Sequence, residues 1–141
     1  MTADADITPS RDAENLKRLA AALRELDARI YTESVPEGLP FDCSPRMLLR
    51  AELWNLTTSA GRLDVAFKPS GTEGYDDLVR NAVGFEVFGV SLDAASLEDI
   101  IRSKEAAGRP QDLQDVQVLR QMIRRGLRDR SAGTRGTQPE E

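Results

Sequence analysis

At 141 residues and 40% hydrophobic, the chain can bury one ordinary core, and it reads as a single domain over residues 1–130. Its formal charge of −5 argues against indiscriminate nucleic-acid binding, and the absence of histidine excludes a Ser-His-Asp triad, a Cys-His pair and every His-dependent metal site. The one cysteine, Cys43, excludes an internal disulfide; no apolar run nears the roughly 20 residues that span a bilayer, and the polar start is no signal peptide, so a soluble, cytoplasmic protein in a reducing compartment is expected.

The opening run Thr2-Ala-Asp-Ala-Asp-Ile-Thr8 reads as a short strand. Ser10 is placed as the N-cap of a helix in which Leu16, Leu19, Leu23 and Leu26 recur at helical spacing. Residues 28–34 predict a strand, residues 35–40 a Pro/Gly-rich turn, and Ser44 with Pro45 the start of a brief helix through Leu53. Cys43, beside that start, is assigned no role. Trp54, Leu56 and Thr58 alternate with polar positions, as do Leu63, Val65 and Phe67, with Ala60-Gly61 between them as a hairpin turn. A polar loop over 69–74 leads to a helix over 75–83, then to a short apolar strand pair around Gly89. Ser96 caps the next helix, with Asp99 three residues on, and Gly108 ends it. Pro110 opens a last helix, with Leu113, Val116, Leu119, Ile123 and Leu127 in one stripe to about Arg130, and residues 131–141 are expected to be disordered. The order β-α-β-α-β-β-α-β-β-α-α predicts an α+β fold, a mixed sheet with helices mainly on one face.

The chemistry concentrates in three carboxylates. Residues two apart in a strand project to one face, so Asp4 and Asp6 point together, while Asp64 alternates with Leu63 and Val65 and points away from their apolar side. If the two strands are neighbours, all three converge. Hard divalent cations take such oxygen ligands in phosphoryl-transfer enzymes; acids solvated at strand edges are the competing reading.

Several stretches, in consistent order, carry a resemblance over residues 2–125. They are Thr2-Ala-Asp-Ala-Asp-Ile-Thr-Pro9, Leu56-Thr-Thr-Ser-Ala-Gly-Arg-Leu-Asp-Val65, and the segment over 95–112 that ends Arg-Ser-Lys-Glu-Ala-Ala-Gly-Arg-Pro-Gln-Asp112. The chain resembles minimal nucleotidyltransferases of the polymerase-β-like superfamily, near the AbiEii-type group of toxin–antitoxin and abortive-infection systems. The resemblance implies a nucleotidyltransferase-like sheet and two Mg²⁺ ions held by Asp4, Asp6 and Asp64. It implies a nucleoside triphosphate as substrate, contacted by Lys104 with Arg109 and Asp112, and transfer of a nucleoside monophosphate to a tRNA or protein acceptor. Asp64 would accept the proton and Lys104 would supply positive charge to the phosphates. An antitoxin protein is the implied partner. The chain departs from the family in having no Gly before Gly38. Family members carry a helix and a Gly-Gly or Gly-Ser turn ahead of the acidic strand, so either a segment is missing or the phosphate cradle is lost.

Two further features stay open. Arg109 and Asp112 could equally form a helix-joining ion pair. Between Arg102 and Arg130 basic residues outnumber acids; Arg120, Arg124, Arg125 and Arg128 could contact an RNA backbone, or could be a solvated helix face complementing its own dipole. Arg62 and Lys68, near Asp64, are weaker phosphate candidates. Against the active enzyme stands a non-catalytic remnant of the same fold, acting as a binding or regulatory partner.

Overall fold

In the computed structural model, residues 4–133 are described, with side chains through residue 127. The chain divides into two compact units, Met1–Arg80 and Asn81–Glu141. The secondary structure is α+β, in the element order predicted.

The first unit holds a four-stranded mixed sheet in the order β1-β4-β3-β2: β1 (Asp4–Ile7) runs parallel to β4 (Gly61–Ala66), which pairs antiparallel with β3 (Leu53–Thr58), which pairs antiparallel with β2 (Arg29–Ile30). Period-2 alternation sorts the two faces. Leu56 and Val65 turn to one side and are buried there with Leu16, Ala20 and Leu23 of α1 (Ala13–Glu25). Those three helix positions follow a 3.6-residue period, so α1 lays one stripe on the sheet. Leu48 of α2 (Pro45–Leu48), Cys43 and Phe67 complete this core, and Ile7, Trp54 and Leu63 border it.

Several boundaries differ from the sequence expectation. Ser10 is not the N-cap: α1 starts at Ala13 after Asp12, whose backbone N–H donates to Ser10 Oγ at 3.1 Å. The strand expected over 28–34 is only Arg29–Ile30, extended by one bridge from Ile30 to Leu39. The Val35 N–H is taken by Thr32 Oγ1 at 3.0 Å, which turns the chain out of the ladder. Gly38 returns it at φ +95°, where a Cβ would sit 2.4 Å from Arg29 Cβ. The helix expected through Leu53 stops at Leu48, whose carbonyl accepts from Trp54 Nε1 at 3.0 Å, while Ser44 caps its start as predicted by accepting from the Met47 N–H. The helix expected over 75–83 is one turn, α3 (Tyr75–Leu78), followed by a 3-10 turn, Val79–Asn81.

The second unit begins with an antiparallel hairpin, β5 (Val83–Val87) and β6 (Val90–Ala94). Its two-residue connection, Phe88-Gly89, has φ of 51° and 78°, the signs of a type I′ turn. Next come α4 (Leu97–Ala107), capped by Ser96 and ended by Gly108 at φ +67°, and α5 (Pro110–Gly133). The last helix therefore runs three residues past Arg130, into the segment expected to be disordered; residues 134–141 lie outside the described residues. No helix among the described residues is long and apolar enough to cross a membrane.

Candidate functional site: an acidic sheet face

The register of β1 on β4 sets Asp6 beside Asp64 and Asp4 beside Arg62. On the other flank, β3 sets Asn55 beside Asp64 and Thr57 beside Arg62. Since cross-strand neighbours share a face, Asp6, Asp64 and Asn55 form one polar row, and Asp4, Arg62, Thr57 and Arg29 form the next. This is the face opposite the core. Asp4, Asp6 and Asp64 thus lie on neighbouring strands on one side of the sheet.

Within this face the carboxylates differ. Asp64 and Asp6 are close enough to share a hydrogen bond. The Asp64 carboxyl is held above its ordinary range, first by partial burial and then by the negative charge of Asp6; Arg62 opposes the shift, and the hydrogen bond to Asp6 and the charge of Asp4 add to it. One of its oxygens, Oδ1, is buried with no hydrogen-bond partner. Asp4 instead faces Arg62, Oδ2 to Nη1 at 3.9 Å. The Arg62 guanidinium lies over the Tyr31 ring, 3.5 Å from its centroid, and its Nε is buried without a partner.

A buried, unpartnered carboxylate oxygen beside a second carboxylate fits a hard cation that takes only one or two protein carboxylates and fills its remaining positions with water and substrate phosphate. A closed three-acid cage is a different matter. Among the described residues no three His, Cys, Asp or Glu side chains are grouped to hold a metal, and Asp4 is the acid turned aside.

Lys104, Arg109 and Asp112 lie in the second unit, where they belong to the junction of α4 and α5. Lys104 Nζ is 3.0 Å from Asp115 Oδ2, and Gln111 donates to the other Asp115 oxygen. Arg109 holds Asp112 through Nε at 2.7 Å and Nη2 at 3.3 Å, and its backbone N–H donates to the same carboxylate at 3.2 Å. Pro110 opens α5, so Arg109 stands at the N-cap and Asp112 reaches back three residues to satisfy it, the second half of a capping box. Asp112 is 4% exposed, and hydrogen bonding to Arg109 holds its carboxyl below the usual range. Hydrogen bonds from Lys104 and Gln111 do the same for Asp115.

On α5, Arg120 pairs with Glu105 of α4, and Arg124 Nε lies 3.5 Å from the Arg120 carbonyl. The Arg128 side chain is outside the described residues. Burial pushes the Cys43 thiol up, against the charge of Arg24, and its Sγ lies 3.8 Å from the Ala20 carbonyl.

Tyr31, Asn55 and Thr57 were not singled out from the sequence. Their signal was present in the alternation of Leu53, Asn55 and Thr57 with the core residues Trp54 and Leu56, which assigns Asn55 and Thr57 to the Asp64 face once β3 and β4 are paired.

No protein-family model, no curated protein and no solved structure matches this chain.

Proposed function

We propose that the acidic face is the nucleotide site of a metal-dependent nucleotidyltransferase, one that moves a nucleoside monophosphate from a triphosphate to an RNA or protein acceptor. The observation that carries this reading is the side-by-side pair Asp6 and Asp64 on an open polar face, with a buried Asp64 oxygen that no protein group satisfies. Two carboxylates repel one another unless a cation or proton intervenes.

Asp6 and Asp64 would hold Mg²⁺, which when bound supplies charge neutralisation to the phosphates and activation of the acceptor oxygen. Asp64, whose carboxyl is held above its ordinary range by burial and by the Asp6 charge, would take the acceptor's proton. Arg62, braced over Tyr31 and with an unused Nε, would present its guanidinium to a phosphate and orient Asp4. The resemblance assigns Lys104 to the phosphates as well, and its ion pair with Asp115 is the contact such a role has to break. The same resemblance makes the protein the toxin of a toxin–antitoxin pair, with tRNA contacted through the arginines of α5.

One observation favours the non-catalytic remnant: Asp4 is engaged by Arg62, and the three acids do not form a cage. A calorimetric titration of each of the four nucleoside triphosphates with Mg²⁺, beside an Asp4→Ala/Asp6→Ala double variant, separates the two. The enzyme reading expects one triphosphate to bind only with metal and acids both present. A folded protein that binds none of them refutes it.

A further inference from the structure

The β5–β6 hairpin has one wholly apolar face. Its cross-strand pairs alternate between Val83 with Ala94, Phe85 with Leu92 and Val87 with Val90 on one side, and Gly84 with Asp93 and Glu86 with Ser91 on the other. The apolar side is open: Phe85 is 54% exposed and Val90 62%, and Val83, Val87 and Leu92 are each more than 40% exposed. At the tip, Phe88 is 102% exposed. It also occupies a left-handed backbone conformation, φ +51°, which bulky residues rarely adopt and which Asn or Gly would fill with less strain.

A two-stranded ribbon is marginal in water unless its apolar face is covered. An aromatic side chain that is fully wetted and sits on strained backbone is doubly unfavourable in the isolated chain, so both features point to a surface completed by contact.

We propose that this face is the contact between two copies of the chain, two hairpins packing face to face about a twofold axis. Taking each aromatic side chain at roughly 200 Å² and each aliphatic one at roughly 150 Å², the exposed fractions come to about 600 Å² per copy, so a contact that covers all of them buries up to about 1,200 Å² for the pair, the lower edge of a standard specific interface. The chemistry favours a second copy over a charged partner. The face presents no charge of its own, and its two acids, Glu86 and Asp93, lie on the opposite side of the ribbon, so a symmetric pairing buries neither and sets no like charges against each other across the contact. In an antiparallel arrangement the Phe88 tip of each hairpin reaches the Val83–Ala94 end of the other, which covers the most exposed large apolar side chain among the described residues.

The test is the mass of the full chain by sedimentation equilibrium over about 1–100 µM, a range that brackets the micromolar affinities of small interfaces. The expected result is a reversible dimer of twice 15.5 kDa. Phe88→Asn suits the turn better than Phe, so its fold is not at risk; it should weaken the dimer at least about tenfold, as loss of a buried aromatic anchor does. Phe85→Glu should abolish the dimer, while Ser91→Glu, on the other side of the ribbon, should leave the dimer constant within about twofold. A wild-type chain that stays monomeric throughout overturns the proposal, as does a dimer indifferent to Phe88→Asn and Phe85→Glu. A monomer that binds an anilinonaphthalene dye, and loses it on Phe85→Glu, shows the face open to some other occupant and also overturns it.

Discussion

Replacing Asp64 by Asn should make the metal-free protein more stable at neutral pH. Asp64 stands directly beside Asp6, has a buried oxygen with no donor, and has its carboxyl pushed above the ordinary range by burial and by the Asp6 charge. A carboxylate whose folded pKa lies above its unfolded value binds its proton more tightly in the native state. Stability therefore falls as pH rises from the unfolded value, about 3.9, through the folded one, and above both the full penalty remains. Asparagine is nearly isosteric and carries no charge, so it removes the repulsion. Cross-strand neighbours of like charge cost about 0.2–1 kcal/mol, and the unit that contains the sheet is small enough for that to appear as a rise of about 1–8 °C in Tm.

The assay is thermal unfolding by circular dichroism in EDTA, at pH 7.5 and again in acid. The gain should be present at pH 7.5 and shrink as pH falls below the folded pKa, because the wild-type carboxyl is then neutral too. Adding Mg²⁺ should reverse the order: a ligand that binds only the native state raises its stability, and Asn is the poorer ligand. If Asp64→Asn lowers Tm at pH 7.5 without metal, the carboxylate is holding the face together through Arg62, and the electrostatic account of the site is wrong.

Arg62→Ala removes the positive charge that restrains the Asp64 shift and the guanidinium stacked on Tyr31; urea unfolding should show a loss of about 0.5–1 kcal/mol, the value of an exposed cation–π contact, and the Asp64 carboxyl resonance should titrate at still higher pH. Asp112→Asn should flatten the acid limb of the stability profile: a depressed carboxyl contributes stability above its unfolded pKa that is lost as pH falls through the folded one, and melts from neutral pH to about pH 2 should show a shallower limb in the variant than in the wild type, the remainder coming from groups such as Asp115. Gly38→Ala should cost more than about 1 kcal/mol in the same urea assay, because φ of +95° is strained for Ala and the new methyl meets Arg29 Cβ at 2.4 Å and Thr57 Cγ2 at 2.7 Å.

The faces of the sheet were legible because period-2 alternation is local: Leu63, Asp64 and Val65 state which side is wet without reference to any other strand. Register is not local. That β1 pairs in parallel with β4, with Asp6 beside Asp64, depends on the two helices, two strands and loops between them, and a slip of one residue would set Asp6 beside Leu63 or Val65 and dissolve the site. Helix starts were read better than helix ends. Ser44 with Pro45 announces a start through its own side chain and ring, whereas the last carbonyl of α2, on Leu48, is taken by the indole N–H of Trp54, six residues on, outside the helix. The same limit shortened β2, whose continuation is diverted by the Thr32 side chain.

The basic stretch teaches the converse point, that a surplus of like residues in sequence need not be a surplus of available charge. Arg109 and Asp112, three apart, could be recognised as a pair, but Lys104 with Asp115 and Arg120 with Glu105 join residues 11 and 15 positions apart and meet only once α4 and α5 have folded onto each other. Each of these cations already has a carboxylate partner, so a phosphate approaching it must compete with that partner rather than simply fill a vacancy. Of the arginines expected to contact RNA, Arg120 is held by Glu105, so a backbone phosphate reaching it must displace that carboxylate, and a nucleotide phosphate at Lys104 or Arg109 must likewise displace Asp115 or Asp112. Phosphate binding here would consequently loosen the α4–α5 junction that these ion pairs hold.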